Sequence, residues 1–94
     1  MPENIVYIGR KPVMAYVMAI MTAMNNPDHD GVVVKARGRS ISIAVDAAEI
    51  TRNRYLSDLQ STVKIGTEKI DQEEGDPRNV STIEITLRKS PEAV

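Results

Sequence analysis

The sequence predicts an α/β fold: a single domain in βαβαββ order, with a four-stranded sheet and two helices. Three observations carry this. Short β-branched runs alternate with helix-length apolar segments through the first half of the chain. Two longer alternating runs follow, separated by a turn rich in Gly, Pro and acidic residues. The chain has 94 residues, well below the roughly 250 at which chains divide into domains.

Taken in order, NIVYIG (4–9) reads as a short strand that Gly9 ends. RKPVMAYVMAIMTAMNN (10–26) reads as a helix. Pro12 suits its first turn, where a missing N–H costs nothing, and Asn25, Asn26 and Pro27 stop it. Val13, Met14, Val17, Met18, Ile20, Met21 and Met24 surround most of this helix, which predicts burial on several sides. PDHDG (27–31) is a turn, and VVVKA (32–36) is β-branched and strand-like. RGR (37–39) makes a tight connection. SISIAVDAAEITRNRY (40–55) is a second helix with Ser40 placed to cap it and Ile41, Ala44, Val45, Ala48 and Tyr55 on one side. STVKIGTEKIDQ (61–72) and VSTIEITLRK (80–89) are two long strands joined by the tip EEGDPRN (73–79), with Gly75 and Pro77 as turn residues. Both helices fit most simply on one face of the sheet. The domain spans 1–89, and SPEAV (90–94) is expected to be a loose tail.

The composition is 41% hydrophobic without Phe or Trp, so Ile, Val, Ala, Leu and five Met must build the core. A core this thin gains from burying surface against a second copy, and an oligomer is expected. With no Cys there is no disulfide and no thiolate chemistry. No signal-peptide pattern opens the sequence, and the apolar run Val13–Met24 is short of the roughly 20 residues a bilayer needs. The protein is expected to be cytoplasmic, with no membrane partner and no cofactor.

Formal charge is −1, but it is unevenly spread. Residues 1–55 carry seven Lys/Arg against five Asp/Glu, a net of +2, and residues 56–94 carry five against eight, a net of −3. Enzyme chemistry finds little footing. The single His29 lies in a polar turn and reads as exposed, and with Asp28 and Asp30 it makes a weak metal site without a second ligand cluster. Asp46 and Glu49 share a helix face, where they solvate it or pair with Arg52 or Lys35. No catalytic residue and no metal ligand is assigned.

The cations are the informative feature. Arg10 and Lys11 follow the first strand, and Lys35, Arg37 and Arg39 follow the second. If those strands are parallel, both connections fall at one edge, where helix starts add free N–H groups and a positive dipole end. Such an edge suits a phosphate backbone. Gly38 allows the chain to turn sharply and approach closely. Surface loops are also often cationic without binding anything, but two clusters at one edge favour an anion site. Arg52 and Arg54 suit the negative end of the second helix, and Asn53 between them is placed either to contact a base or sugar or to cap the helix. Stacking partners are scarce, with only Tyr7, Tyr16 and Tyr55.

VYIGRKPVMAYVMAIMTAM, VVVKARGRSISIAVDAAEITRNRYL and RNVSTIEITLRK together resemble the archaeal Alba chromatin proteins over nearly the whole chain, from Asn4 to Lys89. The resemblance implies a fold like the C-terminal domain of a translation initiation factor. It also implies a homodimer that binds double-stranded DNA, and often RNA, with little sequence preference. Its body would meet the backbone while the two hairpins reach toward the minor groove. Arg10 and Lys11 then occupy the basic pair before the first helix, and Lys35, Arg37, Gly38 and Arg39 the second basic loop. Arg52, Asn53 and Arg78 complete the expected nucleic-acid set, and Tyr55 takes an aromatic position that packs between neighbouring dimers. Where the family has an acetylated lysine this chain has Arg10, which leaves Lys11 as the modification candidate, with an acetyltransferase and a deacetylase as the implied partners. Family hairpins carry several cations. Here the tip carries Asp71, Glu73, Glu74 and Asp76 against Arg78, so the body is expected to do most of the binding.

The function expected from all this is a sequence-independent DNA-binding chromatin protein, a homodimer that coats and compacts nucleic acid and is associated with the chromosome. The alternatives are an RNA-binding protein of a ribonucleoprotein complex and a scaffold that takes a protein partner on its acidic half.

Overall fold

The computed structural model describes residues 4–71 and 75–89. Its elements are β1 (Ile5–Tyr7), α1 (Val13–Met24), β2 (Gly31–Arg37), a 3₁₀ turn (Gly38–Ser40), α2 (Ile41–Ile50), a wide π-type turn (Thr51–Tyr55), β3 (Leu59–Ile70) and β4 (Arg78–Lys89). The order is the predicted βαβαββ. The sheet runs β1-β2-β4-β3, with β1 parallel to β2 and the remaining pairs antiparallel.

The pleat divides the sheet into two unlike faces. On one, Val32, Val34 and Ala36 of β2 lie opposite Leu87, Ile85 and Ile83 of β4, and all six are buried. Tyr16, Val17, Ile20 and Met24 of α1 and Ala44, Ala47 and Ala48 of α2 join them in one core. Both helices therefore lie on the same side. Each large side chain buried there contributes about 1.5–3 kcal/mol, and the alanines of α2 let its backbone approach the sheet. The other face carries Lys35, Thr86 and Glu84 and has no helix over it among the described residues.

Several boundaries differ from the sequence reading, each for a local reason. Pro12 sits just before α1 in extended conformation (φ −57°, ψ 149°) rather than inside its first turn. Met14 and Met18 are exposed, Met18 by 60%, because α1 packs against the sheet, α2 and the wide turn and keeps an outward face. Ser40 makes no capping bond; its hydroxyl is used elsewhere. The buried side of α2 is Ala44, Ala47, Ala48 and Thr51, whereas Val45 and Tyr55 are exposed. At Thr51 the helix widens: its hydroxyl donates back to the Ala47 carbonyl at 2.8 Å, and Leu56 N–H bonds the Thr51 carbonyl at 2.8 Å. His29 is half-buried, not exposed, with its Nε2 enclosed.

β3 runs Leu59–Ile70 rather than 61–72, ending short of the expected tip, whereas β4 begins nearer the tip than alternation alone suggests, so Arg78 and Asn79 belong to it. Arg37, the last residue of β2, pairs with Thr82. Beyond that row, Thr67–Ile70 and Arg78–Ser81 continue as a two-stranded arm. The arm gives the molecule its elongation, 53 × 25 × 22 Å. The tip residues Glu73 and Glu74 and the tail at 90–94 lie outside the described residues.

Candidate nucleic-acid interface

Because β1 and β2 are parallel, their following loops emerge at the same end of the sheet. Three hydrogen bonds fix the first loop and join it to the second. The buried Tyr16 turns its hydroxyl toward the start of α1, where the oxygen accepts the N–H of Gly9 at 2.8 Å and of Lys11 at 2.9 Å. A Cβ on Gly9 would stand 3.3 Å from that oxygen, so a glycine keeps this loop tight. The Ser40 hydroxyl donates to the Gly9 carbonyl at 3.4 Å, a long bond that spans the two loops. Ile8 N–H also bonds the Lys35 carbonyl at 2.9 Å.

Arg10, Lys11 and Arg39 are exposed on this joined edge. Gly38 takes the left-handed conformation (φ 59°) that lets the chain leave β2 and enter the 3₁₀ turn. Val80 of β4 lies beside it, 3.5 Å from where a Cβ would be. Since β4 runs antiparallel to β2, the hairpin arm projects from the same end as the two loops. Loops and arm therefore share one side of the molecule.

The remaining expected residues divide. Arg37 points onto the helix-free face and pairs with Glu68 of β3, crossing β4 to do so. Gly66 lies in register with Thr82 and Arg37, and its missing side chain leaves that lane open. Both partners are more than half exposed, 61% and 51%, so the pair contributes at most about 1 kcal/mol. Lys35 lies half-buried on the same face. Arg52 is a structural tie: its Nη1 donates to Glu49 at 2.7 Å and its Nε to the Leu59 carbonyl at 3.3 Å, holding the wide turn against β3. Asn53 is exposed in that turn, beyond the far end of α2 and roughly 15 Å from the basic edge at 1.5 Å per residue. Tyr55 is half-exposed there as well. Arg78 starts β4, far out on the arm, opposite Ile70. Among the described residues no three potential metal ligands converge.

Two residues at this edge escape the sequence reading. Tyr16 looks like one more member of an apolar helical stripe. Its signal is that it is the lone aromatic in an otherwise aliphatic helix, and a buried tyrosine needs a partner for its hydroxyl. Glu68 has no local signal, because its partner lies 31 residues away.

A family model described as Alba matches residues 4–69. The chain belongs to the Alba family. Its similarity extends further than that model. It is 53% identical over 90 residues to the DNA/RNA-binding protein Alba 1 of Archaeoglobus fulgidus, covering 95% of this chain and 99% of the relative. It is 47% identical to the DNA/RNA-binding protein Alba of Picrophilus torridus, covering 93% and 97%. Among solved structures, Alba from Thermoplasma volcanium superposes with a TM-score of 0.83 at 45% identity, covering 92% of this chain and all of that one. ALBA1 from Trypanosoma brucei gives 0.70 at 26% identity, covering 97% and 73%. The Alba likeness thus includes the βαβαββ order, both helices and the mixed sheet.

Proposed function

We propose that this Alba-family chain binds DNA and RNA through their phosphates, and that as a homodimer it coats duplex nucleic acid on the chromosome with little sequence preference. The observation that carries the reading is the bonded edge: Tyr16 fixes the first loop and Ser40 ties the second to it, so that Arg10, Lys11 and Arg39 present their charge from one side. The names of the relatives, DNA/RNA-binding proteins, agree with it. Each neutralised phosphate releases counterions, which supplies affinity without reading bases. The acidic residues Asp71 and Asp76 near the arm's tip oppose close approach to phosphate, so the edge dominates.

Dimerisation is supported by apolar surface that one subunit leaves open. Val63 and Ile65 of β3 lie on the helix side of the sheet, in register with the buried Ile85 and Ile83, yet neither helix extends over them. They are exposed by 56% and 77%. Tyr55, half-exposed at the end of the wide turn, suits contacts between neighbouring dimers. Lys11 is the residue through which an acetyltransferase and a deacetylase would tune binding, since acetylation removes one of the edge's charges.

The test is a titration of matched duplex DNA and structured RNA at several salt concentrations, with Lys11→Ala and Arg39→Ala alongside. Each substitution is expected to weaken binding alike for all sequences and to lower the salt slope by about one. A changed sequence preference at constant slope would refute backbone contact. Tighter binding to RNA would make the RNA-binding alternative the primary function, and failure to bind either at low salt would leave the protein-partner scaffold.

A further inference from the structure

The helix-free face of the sheet holds a feature that the phosphate edge does not use. Tyr7 of β1 is 70% exposed there. In register across the sheet stand Lys35 of β2, Glu84 of β4 and Lys64 of β3. Tyr7, Lys35, Arg37, Glu68, Thr82 and Glu84 surround a concavity of about 490 Å³, within the roughly 300–1,000 Å³ of small-ligand sites. The Arg37–Glu68 pair forms the side of it nearest the arm.

We infer that this concavity is a second nucleic-acid site, one that takes a single unpaired nucleotide whose base carries an exocyclic amine; the inference borrows from the proposed function only the kind of ligand. An aromatic ring this open on a sheet face has little structural use and offers a surface for a base to stack on. A base inside a duplex is already stacked on both sides, so only an unpaired one can use the ring. Lys35 and Arg37 supply cations for the nucleotide's phosphate.

The carboxylates decide the rest. Glu84 and Glu68 oppose a continuous run of phosphates across this face, which separates the site from the duplex edge. An ionised carboxylate is an acceptor only. It is satisfied by the exocyclic amine of cytosine, adenine or guanine, whereas uracil presents a carbonyl oxygen at the corresponding position. The register places Glu84 one strand beyond Lys35 and two beyond Tyr7.

The experiment titrates the full-length protein with short single strands of oligo-C and oligo-U and with duplex DNA, at one fixed salt concentration. Oligo-C should bind several-fold more tightly than oligo-U. Tyr7→Ala should weaken oligo-C binding about tenfold, the scale of one lost stacking contact, and leave duplex affinity within about twofold. Tyr7→Phe should retain oligo-C binding, and Glu84→Gln should narrow the preference for C over U. The proposal is overturned if oligo-C and oligo-U bind alike, if Tyr7→Ala leaves oligo-C affinity unchanged, or if it weakens duplex and single strand by the same factor. Failure of the wild-type protein to bind duplex would count against the phosphate edge instead, because the single-strand arm is read separately.

Discussion

Tyr16 shows how much one buried atom can organise. Its hydroxyl oxygen accepts two backbone N–H groups, and both belong to the loop that carries Arg10 and Lys11. In Tyr16→Phe the ring still fills its place in the core, but the two donors lose their partner. An unsatisfied donor costs about 1–3 kcal/mol where water cannot replace the bond, so denaturant unfolding should show a loss of that order. Duplex affinity should fall at every sequence while the salt slope holds, because the charges stay and only their placement loosens. A lower slope would mean that Tyr16 changes the number of phosphate contacts. At this scale the sequence was partly legible. Cations that follow strand ends can be placed at one edge from sequence, as Arg10, Lys11 and Arg39 are, and they lie exposed there. The partners of Arg37 and Ser40 do not, since each lies 31 residues away and depends on strand register.

Elements were legible wherever a local rule governs them. The β-branched runs became β2, β3 and β4, and the aliphatic periods became α1 and α2. Errors arose where a side-chain bond to the helix's own backbone overrode the rule, as when Thr51 turned its hydroxyl back to the Ala47 carbonyl where α2 widens at its end. Gly31, read as the end of a turn, is the first residue of β2 and the tightest point of the β2–β4 pairing. A Cβ there would stand 2.7 Å from both the Leu87 carbonyl oxygen and Cγ of Arg88. The arginine side chain can swing away, but the backbone oxygen cannot. Gly31→Ala should therefore destabilise the fold by about 1–3 kcal/mol, the usual cost of overpacking. Amide exchange should show the opening concentrated at the β2–β4 ladder. Gly38→Ala meets only ordinary contact distances, so its cost is the left-handed backbone alone, about 1–2 kcal/mol.

For the whole molecule, the uneven charge along the chain anticipated two surfaces, and the fold gives them form as a basic edge and a mixed-charge arm. The thin composition leads to the expectation of an oligomer, which stands as part of the proposed function. Composition could not point to the open apolar strip, because Val63 and Ile65 follow the same alternation as buried strand residues and differ only in lying beyond the helices. If that strip is the dimer interface, Ile65→Asp should convert the dimer to a monomer in sedimentation. It should also cost well over tenfold in duplex affinity, since paired edges on one body act with a high effective concentration. A dimer that survives Ile65→Asp would place the interface elsewhere. The hydroxyl bridge from Ser40 to Gly9 has a further thermodynamic meaning. Loops that meet their ligand separately must be frozen at the moment of contact, and affinity is lost to that ordering. Here the bridge forms when the chain folds, so if this edge is the nucleic-acid contact, association is expected to be close to the docking of a rigid body.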